Sequence, residues 1–310
     1  MESSFRRKEL MQFGKVAVLM GGKAAEREIS LRSGQAVTDA LVRQGIDATA
    51  CDVSSIDELT DIALNYDRAF IALHGRWGED GTVQAILDDL DLPYTGSGMA
   101  ASAIAMDKLR TKWMWQGAGL PTPKFIWVSE SLPFDQAKFD IPFPVIVKPS
   151  HEGSSIGMRK VNVLDELSEA VAFAQQYDSE VLIEQWVTGS EYTVAVLNGE
   201  ALPLIQLKTS HEFYDFEAKY QSNDTQYICP CGLPAELEEK IQTIALEAFK
   251  VVGAKTWGRV DVMLDENNTP WLIELNSVPG MTDHSLVPMA ASETGRSFEQ
   301  LVAEILKSTL

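Results

Sequence analysis

The sequence predicts an α/β (α+β) chain of three units, on three observations. The first hundred residues alternate short apolar strands, glycine turns and helix-length segments. In the middle, VIVKPSHEGSSIGM (residues 145–158) delivers one lysine from a β-branched run into a loop of glycines and serines. Near the end, GRVDVMLD and TPWLIELN are apolar strands that each carry a carboxylate. Strand, glycine turn, helix and strand in succession is the rhythm of a parallel α/β sheet. At 310 residues the chain is also longer than a single small core accommodates.

In the first section, KVAVLMGG is a strand ending in two glycines. Ile29, Ser33, Val37 and Leu41 then recur near the helical period, which predicts a helix over residues 30–44. IDATACDV is a second strand, an acidic helix-like segment follows, and RAFIALHG is a third strand. Parallel sheets gather their sites at the carboxyl ends of the strands, so Gly21, Gly22, His74 and Gly75 fall on one edge. The second section opens with SAIAMDKLRTKWMWQGAG, read as one helix stopped by the breakers from Gly117 to Pro121, with Trp113 and Trp115 assigned to the core. Strands PTPKFIWV and FPVIVKPS, a helix LDELSEAVAFAQQY with Asp165 near its positive end, and a strand VLIEQWV complete it.

The third section begins with a hairpin, EYTVAVLNGEALPLIQLK, turned at Asn198-Gly199. Residues 209–231 are polar, aromatic and without periodicity, the character of a lid or binding loop. An amphipathic helix LPAELEEKIQTIALEAFKVVGA, the two acidic strands around a turn at 266–269, and a helix SFEQLVAEILKS follow. The expected domains are residues 1–100, 101–187 and 188–310.

The formal net charge of −19, from 26 Lys+Arg against 45 Asp+Glu, argues against nucleic acid or an anionic membrane as general partners. It leaves room for a local basic pocket. Three cysteines give no disulfide framework, and the lone Cys229-Pro-Cys231 pair lacks the four ligands of a zinc site. The N-terminal MESSFRRKELMQFGK has no apolar signal region, and VAVLM is far short of a membrane span. A soluble, cytoplasmic protein is expected.

Side chains alternate along a strand, so Arg259, Asp261 and Met263 share one face, as do Leu272, Glu274 and Asn276. If the two strands pair with these faces together, Asp261, Glu274 and Asn276 converge within an apolar sheet. Charges there are costly unless paired or liganded. An all-oxygen set suits Mg²⁺ with nucleotide phosphates; an ion pair of Asp261 with Arg259 or a lysine is the structural alternative. Lys148 precedes a loop whose Gly153, Ser154 and Ser155 N–H groups can converge on phosphate. Lys108 and Lys219, taken singly, are ordinary surface charges. GxxxxGK[ST] and GxGxxG are both absent, which disfavours a Walker loop and a nicotinamide dehydrogenase. By themselves Glu26 is a first-turn acid, His74 a strand-end histidine, Trp186 a core side chain and Gly280 a turn residue.

Taken in order, GGKAAEREISLRSG, ALHGRWGEDGTVQ, LPYTGSG, MDKLRTK, VIVKPSHEGSSIGM, FYDFEAKY, GRVDVML and IELNSVPGMTDHSLVPMAA span residues 15–291. Together they resemble the ATP-grasp superfamily and, within it, the D-alanine–D-alanine ligase family. The resemblance implies an ATP-grasp fold, with a Rossmann-like N-terminal domain and two ATP-grasp subdomains. It implies an ATP-dependent ligase that joins two D-alanine molecules through a D-alanyl phosphate, for peptidoglycan precursors. It also implies two Mg²⁺ ions, replaceable by Mn²⁺, and a homodimer.

The same resemblance assigns roles. Asp261, Glu274 and Asn276 match the metal ligands, with Glu274 bridging, and Lys108, Lys148 and Lys219 match the phosphate-binding lysines. Glu184, Trp186 and Val187 match the adenine hinge, Glu191 the ribose acceptor, and Ser154 and Ser155 the loop over the phosphates. Arg259 and the Gly280 backbone match an oxyanion site. Glu26 matches the acceptor of the first substrate's ammonium, with His74 beside it; Ser285 and Leu286 match the cradle of the second substrate's carboxylate. Ser154 and Tyr220 match a hydrogen-bonded set linking Glu26 to the loop. The family string N-T-x-P-G-M-T is here Asn276-Ser277-Val278-Pro279, which keeps the hydroxyl. Tyr220 stands where relatives that make a D-alanine–D-lactate ester carry Phe, and so favours the peptide product. The competing expectations are a depsipeptide ligase and a nucleotide-binding regulator without turnover.

Overall fold

Val16, Ala17, Val18 and Leu19 are fully buried because β1 (Lys15–Gly21) is the middle strand of a three-stranded parallel sheet. The computed structural model describes residues 12–209, 225–282 and 284–310. β1 lies between β2 (Asp47–Val53) and β3 (Arg68–Ile71), with α1 (Arg27–Arg43) and α2 (Ile56–Asn65) as the connections. α1 starts three residues before the predicted 30, since the Ile29 and Ser30 amides already donate to the Glu26 carbonyl. Ser30 Oγ is spent on the sheet: it accepts from the Gly21 amide and donates to the Ala72 carbonyl. α2 is started by Ser55 and Glu58, which form a reciprocal capping box. α3 (Thr82–Asp89), which the sequence reading did not anticipate, follows the strand-end loop.

The helix expected through MDKLRTK is two helices. α4 (Met99–Met106) ends at Asp107, whose extended backbone and side-chain acceptance of the Arg110 amide make it the N-cap of α5 (Lys108–Gly117). The break places Lys108 at the first position of a helix rather than in the middle of one. Trp115 is fully buried as expected. Trp113 is not: it is 44% exposed and meets Trp127 edge-on.

The second sheet is antiparallel, in the order β4 (Phe125–Val128), β7 (Val181–Gln185), β5 (Val145–Pro149), β6 (Arg159–Val161), with α6 (Leu164–Ala174) against it. The third, also antiparallel, runs β11 (Gln226–Ile228), β10 (Ile205–Lys208), β8 (Gly189–Leu197), β12 (Trp257–Asp265), β13 (Pro270–Asn276), with β9 (Glu200–Ala201) paired to β8. The β8–β9 turn is the Asn-Gly hairpin, with φ of 49° and 83° at Asn198 and Gly199, the two left-handed residues such a turn requires. α7 (Ala235–Val251) covers this sheet through Ile241, Ala245 and Ala248. Within the stretch expected to be irregular, β11 is a strand, because the edge of β10 is available to pair with it.

The hydrophobic core does not follow chain order. α8 (Leu286–Glu293), also unanticipated, and α9 (Phe298–Leu306) bring Val287, Ala290, Leu301, Val302 and Ile305 into one cluster with Val16, Leu41 and Phe70. Arg43 and Glu299 form an ion pair between α1 and α9 at 2.8 Å. The C-terminal helices thereby fasten the loop after β13 against the parallel sheet. No helix among the described residues is long and apolar enough to cross a membrane.

Candidate active site

β12 and β13 pair with Asp261 opposite Glu274 and Arg259 opposite Asn276. The faces therefore coincide. The register then slips by one residue: Val262 faces Leu272, and Ile273 is the extra residue of a bulge. This corrects the expected alternation. Leu272 turns into the core at 0% exposure, while Glu274 stays on the open face. Asp261 is 7% exposed and heavily partnered. The Arg259 guanidinium grips both its oxygens at 2.8 Å, Thr193 Oγ donates at 2.6 Å and Asn276 Nδ2 at 3.1 Å. The ion pair with Arg259 and the gathering of oxygen donors thus coexist.

Two cavities meet at this pair of strands. The first, of about 550 Å³, lies between the carboxyl edge of the parallel sheet and the loop after β13. Glu26, His74, Arg259, Gly280, Ser285 and Leu286 all line it. The second, of about 570 Å³, lies between the two antiparallel sheets. Lys148, Ser155, Glu184, Trp186, Val187 and Glu191 line that one. Lys108 and Glu274 line both. Lys108 Nζ stands 3.6 Å from Glu274 Oε2 and donates to the Glu152 carbonyl at 2.6 Å.

The floor of the second cavity is a buried charge triad. Lys148 Nζ donates to Glu184 Oε1 at 2.9 Å, and Lys112 Nζ lies 2.5 Å from Oε2. Burial pulls Lys112 down to about 8, against the attraction of Glu184. Burial by itself raises the Glu184 carboxyl, but the two lysines outweigh it and hold it below its ordinary range. Lys112 and Thr122 also donate to the Leu272 carbonyl, beside the bulge at Ile273. Sequence reasoning missed Lys112; its signal was the spacing of four from Lys108, which puts both lysines on one helix face. Trp186, half-buried, immediately follows β7, with the Lys160 ammonium 4.3 Å from its ring centroid.

Ser154 and Ser155 have φ of 52° and 60°, so the loop after β5 passes through two consecutive left-handed serines. Ser154 Oγ donates to Glu26 Oε1 at 3.1 Å. This is one leg of the expected Glu26–Ser154–Tyr220 set; Tyr220 and Lys219 lie outside the described residues. His74 is 6% exposed, and both its nitrogens are used inside the protein. Nδ1 is 2.9 Å from the Val278 carbonyl, which can only accept, so Nδ1 carries the proton. Nε2 accepts from Ser33 Oγ at 3.1 Å, and Ser33 Oγ in turn accepts the Met281 amide. His74 therefore braces the 278–281 loop from the parallel sheet. Glu79, 3.4 Å from His74 Nδ1, has its carboxyl pushed up by burial. Ser33 and Glu79 were also missed; each sits inside a string already singled out, EREISLRSG and HGRWGEDG.

Asp261 and Glu274 offer carboxylate oxygens and Asn276 an amide oxygen on one face, with Lys108 and Arg259 adjacent. That donor set fits a hard divalent cation with phosphates. Glu26, Arg259 and the α8 N-cap at Ser285 suit a small zwitterion in the first cavity.

The comparisons with known proteins give the family. A family profile described as "D-ala D-ala ligase C-terminus" matches residues 114–307, and one described as "D-ala D-ala ligase N-terminus" matches residues 54–97. A D-alanine–D-alanine ligase of Hydrogenovibrio crunogenus is 68% identical over 310 residues, covering 100% of this chain and 99% of its own length. One from Alcanivorax borkumensis is 54% identical over 100% of this chain and 98% of its own. The solved D-alanine–D-alanine ligase of Bacillus anthracis, complexed with ATP, superposes with a TM-score of 0.86 at 31% identity, over 96% and 97% of the two chains. A D-Ala:D-Ser ligase of Enterococcus faecalis superposes equally well, with a TM-score of 0.86 at 26% identity, over 96% and 99%.

Proposed function

The chain belongs to the D-alanine–D-alanine ligase family, and on that premise we propose that it joins two D-alanines to D-alanyl-D-alanine while converting ATP to ADP and phosphate. The observation that carries this reading is the meeting of two cavities, one lined by Lys148, Glu184 and Trp186 and the other by Glu26, Arg259 and Ser285, at Lys108 and Glu274. The terminal phosphoryl group of ATP in one can then be presented to a carboxylate in the other.

A carboxylate is a poor electrophile and is activated first. An oxygen of the first D-alanine attacks the γ-phosphorus, the bond to ADP breaks, and D-alanyl phosphate forms. The amine of the second D-alanine attacks the acyl carbon, loses a proton, and the C–O bond to phosphate breaks. Phosphoryl transfer depends on position and charge neutralisation. Lys108 and Lys148, with Lys219, hold the phosphates under the loop of Ser154 and Ser155. Glu184, Trp186 and Val187 seat the adenine and Glu191 the ribose. Asp261, Glu274 and Asn276 would hold two Mg²⁺, or Mn²⁺ in their place, which would supply charge neutralisation on the triphosphate. Arg259 and the Gly280 N–H face the oxygen that becomes negative in the tetrahedral adduct. Glu26 takes the ammonium of the first D-alanine, and Ser285 and Leu286 take the carboxylate of the second. His74 holds the 278–281 loop at the distance this requires.

We assign residues 1–100, 101–187 and 188–310 to three domains, with residues 209–231 closing over the acyl phosphate and Tyr220 joining Ser154 and Glu26. The protein works as a cytoplasmic homodimer supplying peptidoglycan precursors, without nucleic acid or membrane partners. The test is phosphate release with ATP and Mg²⁺. D-alanine gives one phosphate per dipeptide and L-alanine gives none; absence of release with D-alanine from folded protein refutes the reading.

A further inference from the structure

We propose that His151 is a positioning residue which, as an imidazolium, ties the root of the glycine–serine loop to the first turn of α5 and thereby fixes the loop relative to Lys108. This rests on the assignment of that loop and Lys108 to the phosphates of ATP.

His151 follows Ser150 at the end of β5 and precedes Glu152 and Gly153. Its Nδ1 donates to Asp178 Oδ2 at 2.8 Å and its Nε2 to Asp107 Oδ2 at 3.1 Å. Its own amide also donates to Asp178 Oδ2, at 2.7 Å. Asp107 is the N-cap of α5, so the ring is tied to the residue immediately before Lys108. The attachment is doubled by backbone and hydroxyl bonds: the Lys108 amide donates to the Ser150 carbonyl, and Ser150 Oγ to Asp107 Oδ1. Lys108 Nζ closes the ring of contacts on the Glu152 carbonyl. Two carboxylates from separate elements, the α4–α5 junction and the segment between α6 and β7, thus meet one imidazole carried by the loop.

The charges around the ring require its cationic form. Glu180 Oε2 is 3.9 Å from Nε2, and Arg110 is shared between Asp107 and Glu180. The Arg76–Glu152 pair lies at the next residue. A neutral imidazole has one N–H, so one of Asp107 and Asp178 would face a bare nitrogen lone pair. Accordingly the ring is pushed up to about 9 by its bonds to Asp107 and Asp178. The converging Asp107, His151 and Glu180 are not a cation site, because Arg110 and the imidazolium already supply the positive charge.

The test is binding of a non-hydrolysable ATP analogue with Mg²⁺, without D-alanine, by calorimetry from pH 7 to pH 10. His151→Arg keeps the cation and both donors at every pH; His151→Gln removes the charge. The Kd of the wild type rises between pH 8 and pH 10 relative to that of His151→Arg, by about tenfold, the loss of one charge-assisted hydrogen bond. His151→Gln binds weakly already at pH 7, with no inflection near 9 beyond that of His151→Arg. Superimposed Kd profiles for wild type and His151→Gln overturn the proposal. Lys148→Ala separates the two readings. If it binds as wild type, the assignment of the nucleotide cavity falls; if it loses binding while both His151 variants bind as wild type, only the role of His151 falls.

Discussion

Lys108 Nζ stands 3.6 Å from Glu274 Oε2, and these two side chains are shared by both cavities. The lysine is brought by the break between α4 and α5, the acid by its regular pairing opposite Asp261 on β12. The bulge at Ile273 turns Leu272 into the core and leaves Glu274 on the open face. A ligase of this type needs one point where phosphoryl donor and acceptor meet, and the proposed function places it at this pair.

Removing Lys112 tests how the floor of the nucleotide cavity is held. Lys112→Met leaves Glu184 buried with only Lys148 for compensation, which destabilises by about 3–5 kcal/mol. Lys112→Met/Glu184→Gln is destabilised by less than the sum of the single changes, since the charges share one network. Urea unfolding of the four proteins measures the coupling. KM for ATP rises in Lys112→Met more than KM for D-alanine, because Glu184 lines the nucleotide cavity alone of the two.

Ser33→Ala deletes the hydroxyl that joins His74 Nε2 to the Met281 amide. The cost is about 1–3 kcal/mol, that of leaving buried partners unsatisfied. The 278–281 loop borders the first cavity, so KM for D-alanine rises while the Kd of an ATP analogue stays within about twofold, a shift under 0.5 kcal/mol. Steady-state kinetics at saturating ATP, with calorimetry for the nucleotide, reads both.

Stability has an alkaline edge set by His151. Its pKa is raised from 6.5 to about 9 in the folded chain, so its contribution is complete below pH 6.5 and lost as the pH rises through 9. That contribution is on the order of 2–3 kcal/mol by linkage. The unfolding free energies of wild type and His151→Gln, measured at pH 6.5 and pH 9.5, therefore converge at the higher pH.

Ser154→Ala removes the hydroxyl donated to Glu26 and leaves the loop backbone intact. Turnover falls about tenfold or more, the loss of a charge-assisted hydrogen bond, without a matching loss of ATP-analogue affinity. Phosphate release at saturating substrates and analogue calorimetry distinguish this from a collapsed loop.

Much of this site was legible in the chain because strand alternation is a local rule. Period two puts Asp261 with Arg259 and Glu274 with Asn276, and the short turn makes antiparallel pairing readable; that the two faces coincide is a further condition, which the register meets. The fate of Leu272 was not legible, since a bulge depends on what packs on the far side of the strand. The Asn198-Gly199 hairpin was readable because only certain residues take two left-handed conformations in a row. The break at Asp107 was hidden, because its cause is a cap reinforced by Ser150 and His151, some forty residues away. Lys112 was missed and Trp113 misjudged for a related reason: nothing within the helix says that a lysine has a buried carboxylate waiting on a neighbouring strand, or that a tryptophan will lie on the surface. The joining of α8 and α9 to the core of β1 and β3 is a contact between chain ends, on which sequence period is silent.

The central claim is that a D-alanine carboxylate receives the terminal phosphoryl group at the junction of Lys108 and Glu274. The most direct measurement uses D-alanine labelled with ¹⁸O in its carboxylate, with mass analysis of the phosphate released by wild type and Glu274→Gln. The account predicts one labelled oxygen in each phosphate, ADP as the nucleotide product, and a loss of at least about a hundredfold in release for Glu274→Gln, comparable to removing a preorganised electrostatic group. Phosphate free of label, label found in AMP, or a Glu274→Gln enzyme as fast as wild type would contradict it.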